Sequence, residues 1–120
     1  MGLRFSEIVI DCADHGAVVD FWQAALGTYE RHEVNEQYVG LGPAEGAPAG
    51  APYLLFQKVP ERKSVKNRVH LDLRADSMAD EVARLVALGA TVTAQRALGE
   101  KLCWTVMADP EGNEFCVAQA

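Results

Sequence analysis

The chain is short of several things, and each shortage removes a class of protein. Its three cysteines, Cys12, Cys103 and Cys116, are odd in number and include no CxxC pair, so neither a disulfide framework nor a zinc knuckle is built from them. Reduced thiols of a cytoplasmic protein are the expectation. No apolar run approaches the ~20 residues a membrane-spanning helix needs, and the opening MGLRFSEIVI has no apolar leader core. Positive charge is scarce: 11 Lys and Arg stand against 17 Asp and Glu, a formal net charge of -6. That balance opposes a role in tracking nucleic-acid phosphates. The partners expected are therefore neither nucleic acid nor membrane. What remains is ordinary for a globular domain: 120 residues, 49% apolar and 23% charged, enough for one unstapled core.

Periodicity gives the elements. Phe5 to Cys12 alternates, placing Ile8, Ile10 and Cys12 on one face and Glu7, Val9 and Asp11 on the other. Asp14 is a helix N-cap, Val18, Phe21, Trp22, Ala25 and Leu26 follow at helical spacing, and Gly27 closes the helix. Strands are predicted over 28–33, 36–41 and 53–59, with the Pro/Gly-rich stretch 42–52 as a loop. The basic stretch PERKSVKNR, 60–68, reads as a solvated linker or an attractor of anions. Beyond it the order recurs. VHLDLR (69–74) alternates with His70, Asp72 and Arg74 on one face. Ser77 caps a helix with Met78, Val82, Leu85 and Leu88 as its stripe, and Gly89 ends it. Strands at 91–95, 101–108 and 113–119 complete the chain, the last two joined by the turn Asp109-Pro110-Glu111-Gly112.

The two halves match residue by residue. Ala25-Leu26-Gly27 corresponds to Ala87-Leu88-Gly89, and Glu7, Ile8 and Ile10 to His70, Leu71 and Leu73. A βαβββ unit is thus written twice, as module 1 (about 3–59), a linker (about 60–67) and module 2 (about 68–120) of a single domain. The fold class is α+β: eight strands in a cup-shaped mixed sheet with helices outside.

With the repeat, EIVIDCADHGAVVDFWQAALG (7–27), NRVHLDL (67–73), VALGA (86–90) and ADPEGNEFCV (108–117) resemble the vicinal oxygen chelate superfamily. That superfamily includes glyoxalase I, bleomycin-resistance proteins and extradiol dioxygenases, and the similarity is greatest to its glyoxalase-like branch. The resemblance implies a pocket inside the cup, and in metal-using members a divalent ion such as Zn, Ni, Fe or Mn. Its ligand positions fall on Glu7, Leu55, His70 and Cys116. Leu55 has no donor atom, so the candidate metal set, Glu7, His70 and Cys116, is short of one ligand, and a metal-free binding pocket is read ahead of a metal-dependent lyase or isomerase. Glu7 and His70 are the catalytic candidates for isomerase or lyase chemistry next to a carbonyl.

Alternation assigns Asp11, Gln57, Asp72, Arg74, Trp104, Glu114 and Cys116 to ligand binding, Trp104 as a stacking platform. Asp72 and Arg74 are also placed to pair with each other. The acidic lining favours a cationic small molecule. The resemblance also implies a homodimer, with no further cofactor expected.

Overall fold

The computed structural model describes residues 2–120. The chain divides into two compact units, Met1–Arg62 and Lys63–Ala120, so the boundary falls inside the basic stretch rather than at its ends.

In the first unit, β1 (Ile8–Cys12) leads into α1 (His15–Leu26), followed by β2 (Tyr29–Glu33), β3 (Tyr38–Pro43) and β4 (Leu54–Lys58). The sheet order is β1-β4-β3-β2, with β1 parallel to β4 and the other pairs antiparallel. The parallel pair exists because α1 and two strands intervene between β1 and β4, giving the chain room to cross back. Asp14, in an extended conformation, accepts the Gly16 N–H at 3.3 Å and starts α1. Gly27 stops it at φ 75°, returning its N–H to the Gln23 carbonyl at 3.0 Å. Val18, Val19, Phe21 and Trp22 are buried. Phe21 and Trp22 meet edge to face, ring centres 5.3 Å apart, the arrangement ring quadrupoles favour. Trp22, at its helical spacing from Val18, is part of this core.

The second unit repeats this plan as β5 (Leu71–Ala75), α2 (Met78–Ala87), β6 (Thr91–Leu98), β7 (Leu102–Ala108) and β8 (Glu114–Gln119). Its order, β5-β8-β7-β6, is the first sheet's order carried forward, again with one parallel pair. Ser77 caps α2 through its hydroxyl, which accepts the Asp80 N–H at 3.3 Å. The eight expected strands and two helices are all present, hydrogen-bonded as two sheets of four.

Several boundaries differ from expectation. The first strand begins at Ile8, not Phe5, whose side chain is fully exposed. Leu88 does not join the buried stripe of α2. It forms the helix C-cap and is exposed, while Gly89 follows at φ 121°. β6 runs on to Leu98, paired throughout with β7 apart from a bulge between Val92 and Ala94.

The turn before β8 is set by a buried carboxylate. Asp109 Oδ1 accepts the N–H groups of Glu111 and Asn113 at 2.9 and 3.0 Å, and the Gly112 N–H closes onto the Asp109 carbonyl at 2.9 Å. These bonds fix where β8 starts, and hence which of its residues share a face.

Candidate functional site

Strand register decides which side chains can act together. In the second sheet Asp72, Cys116, Val106 and Ala94 lie in one row across β5, β8, β7 and β6. Arg74, Ala118, Trp104 and Arg96 form the next row on the same face. The opposite face carries Leu71, Leu73, Phe115, Val117, Met107 and Thr105, the last four of them buried. One face of the sheet is therefore polar and the other is core.

On the polar face His70, Asp72 and Cys116 converge. Their ligand atoms lie within 4.8 Å of one another, and His70 Nε2 stands 3.2 Å from Asp72 Oδ1. Asp72 pairs with His70 and not, as its neighbour on the strand suggested, with Arg74, which has no ion pair among the described residues. Cys116 is only 6% exposed. Burial, and then the adjacent Asp72 carboxylate, push its thiol pKa up, so the free protein keeps it protonated.

Glu114 shares this face but its carboxylate is already engaged. Lys63 Nζ reaches it at 2.8 Å, Lys66 Nζ at 3.4 Å and the Asn67 N–H at 3.2 Å, while the Glu114 N–H donates to Asn67 Oδ1 at 3.4 Å. The hydrogen bond from Lys63, foremost among these contacts, holds the Glu114 pKa below the ordinary carboxylate value. The basic stretch is thus latched to the start of β8 through Lys63, Lys66 and Asn67 while its residues stay largely exposed.

Trp104 is partly exposed on the polar face, beside Ala118 and opposite Arg96. Of these, Arg96 was not anticipated, because its strand was expected to end at residue 95.

The first unit places its candidates on one face of its own sheet: Val9 pairs with Leu55 and Asp11 with Gln57. Glu7 precedes β1, is exposed and accepts the Ser6 hydroxyl. In the repeat, Glu7, Val9 and Leu55 occupy the positions that His70, Asp72 and Cys116 occupy in the second unit. Only the second set has a good ligand at every position.

Sequence reasoning missed a feature of the first face. Gly40 and Gly42 alternate along β3, and the Tyr53 ring lies over both; a Cβ built on Gly40 would clash with Tyr53 Oη. His32 flanks that ring at a centroid distance of 6.0 Å. Two glycines spaced by one residue in a strand were the available signal.

Residues 7–118 match the family described as "Glyoxalase-like domain". Solved structures agree in fold. A glyoxalase/bleomycin resistance protein/dioxygenase family enzyme from Burkholderia phytofirmans PsJN is 21% identical, with a TM-score of 0.73 and coverage of 95% of this chain and 96% of that one. A lactoylglutathione lyase from Agrobacterium tumefaciens is 18% identical, TM-score 0.67, covering 100% and 96%. A genomically encoded fosfomycin resistance protein from Listeria monocytogenes is 14% identical, TM-score 0.76, covering 100% and 95%. No curated protein matches the chain.

Proposed function

Because the chain belongs to the glyoxalase-like family of the vicinal oxygen chelate superfamily, we propose that it binds a small molecule on the polar face of its second module, assisted by a divalent ion. The observation that carries this is the convergence of His70, Asp72 and Cys116 within 4.8 Å. An imidazole, a carboxylate and a thiol are a donor set that suits zinc, and three protein ligands leave a coordination position open. The residues present therefore fit the ion, though not by the expected set: Asp72 stands with His70 and Cys116, and Leu55 contributes nothing. When bound, the ion would polarise an oxygen of the ligand.

The protein's own groups supply the rest. Asp72, its Oδ1 3.2 Å from His70 Nε2, orients the His70 ring. Trp104 offers a stacking surface to a planar ligand. Lyase or isomerase chemistry beside a carbonyl is the reaction class this arrangement supports. A cytoplasmic location suits cysteines that form no disulfide with one another. A homodimer is part of the same reading, since β1 and β5 are edge strands of their sheets; sedimentation should give about twice the 13.0 kDa chain mass.

The test is metal binding by the full chain after chelation and dialysis. One zinc per chain is expected, and Cys116→Ser and Asp72→Asn should each weaken it at least about tenfold. Cobalt should give a near-ultraviolet thiolate band that Cys116→Ser abolishes. Failure of the wild type to bind zinc, or full affinity in Cys116→Ser, would sink the metal assignment.

A further inference from the structure

The charge of the polar face runs against that of the chain. The protein as a whole is acidic, with a net charge of -6. On this one face, however, Arg74 and Arg96 stand in the row of Trp104, and Lys63 and Lys66 reach in from the linker to Glu114. Among the described residues of these strand rows, Asp72 and Glu114 are the acidic groups that oppose them.

Their positions are as telling as their number. Arg74, Ala118 and Trp104 are cross-strand neighbours. At the ordinary spacing of sheet strands, Arg74 and Trp104 are therefore separated by about 10 Å of backbone with only a methyl group between them. The small Ala118 thus separates the strand positions of a cation and an aromatic residue on one face. Arg74 has no ion pair among the described residues. Arg96, paired with Trp104 across the strands, donates from its guanidinium to the neighbouring Gln95 carbonyl at 3.3 Å and has no ion pair among the described residues. At the other end of the face, Lys63 already satisfies Glu114 at 2.8 Å. Lys66 is held more loosely at 3.4 Å, with 68% of its side chain exposed.

We infer that the ligand of this face is an anion with a planar body, its negative group held by Arg74 and its plane laid on Trp104. This rests on the second module's polar face being the binding site, and it reverses the cationic ligand expected from the acidic lining. The donors favour a carboxylate: a guanidinium presents paired N–H groups that match two carboxylate oxygens, and an indole face suits a conjugated system. Lys66, at the other end of the face, adds to the field that draws the anion in.

The experiment uses two probes of one shape and opposite charge, benzoate and benzamidine, on the full chain with and without added zinc. Trp22 is buried and Trp104 is not, so changes in tryptophan emission report Trp104, and Trp104→Phe is the control that should abolish them. Benzoate should bind at least about tenfold tighter than benzamidine, with a preference that shrinks as salt rises. Arg74→Gln should remove most of that preference, Arg74→Lys should keep part of it, and Lys66→Gln should slow association more than it weakens binding. Equal or tighter binding of benzamidine, no emission change with either probe, or an Arg74→Gln protein that keeps the full preference would overturn the inference. Zinc affinity, measured on the same Arg74→Gln protein, separates the two readings. It should equal that of the wild type, and a chain that prefers benzoate yet binds no zinc would retain the anion site and lose the metal.

Discussion

At the scale of single residues, what matters is whether each buried polar atom has a partner. Among the described residues, Asp109 and Thr105 are the buried polar ones, and they differ in this respect. Asp109 spends its carboxylate on two backbone N–H groups of the turn it organises. Thr105 Oγ1 has no hydrogen-bond partner among the described residues, and it lies on the core face of the second sheet between Val117 and Gln95. A hydroxyl there loses water without compensation, so Thr105→Val, which keeps the β-branched shape, should be neutral or stabilising by up to about 2 kcal/mol. Thermal denaturation measures it, and a clear drop in melting temperature would mean that the hydroxyl is satisfied after all. The sequence shows Thr105 as one residue of a strand and no more, because an unpaired hydroxyl is a property of its surroundings.

At the scale of elements, the repeat is what the sequence made legible. The alternation in VHLDLR and the duplicated Ala-Leu-Gly predict two copies of one topology, and the sheet orders are indeed copies. Local pattern suffices there because strand faces and helix stripes are set by residue spacing alone. The site was only half legible, for a matching reason. His70 and Cys116 stand out by residue type, but the pairing of Asp72 with His70 and the capture of Glu114 by Lys63 are contacts between particular side-chain ends, which spacing does not determine. Tyr53 over Gly40 is the plainest such case, and it carries a prediction. A methyl group at Gly40 would collide with the phenol, and the ring would have to swing off the sheet. Gly40→Ala should therefore cost about 1–3 kcal/mol. The double variant with Tyr53→Ala should lose less than the two single costs added together, since the clash is gone. Denaturant melts of the four proteins give the coupling, and strict additivity would show that the ring does not sit there.

At the scale of the whole molecule, the segment 60–68 is tied to the second unit through Lys63, Lys66 and Asn67. Arg62 and Arg68 are exposed, whereas Lys63, Lys66 and Asn67 all contact Glu114. Limited trypsin digestion at neutral pH should therefore cut this segment after Arg62 and Arg68 before it cuts after Lys63 and Lys66. A first cut after Arg62 divides the chain at the boundary of the two compact units. Glu114→Gln removes the charge both lysines hold. At about 1 kcal/mol for such a part-exposed network, cleavage at the two lysines should quicken roughly fivefold. The sign of the pH dependence follows from the lowered Glu114 pKa. The latch contributes stability above the carboxylate's ordinary value of 4.5 and loses it as pH falls through the lower folded value. The Asn67 amide resonance, whose N–H rests on that carboxylate, should accordingly shift with a midpoint below 4.5. A midpoint at or above that value, or lysine cuts as early as the arginine ones, would mean that the two units are joined by a free linker.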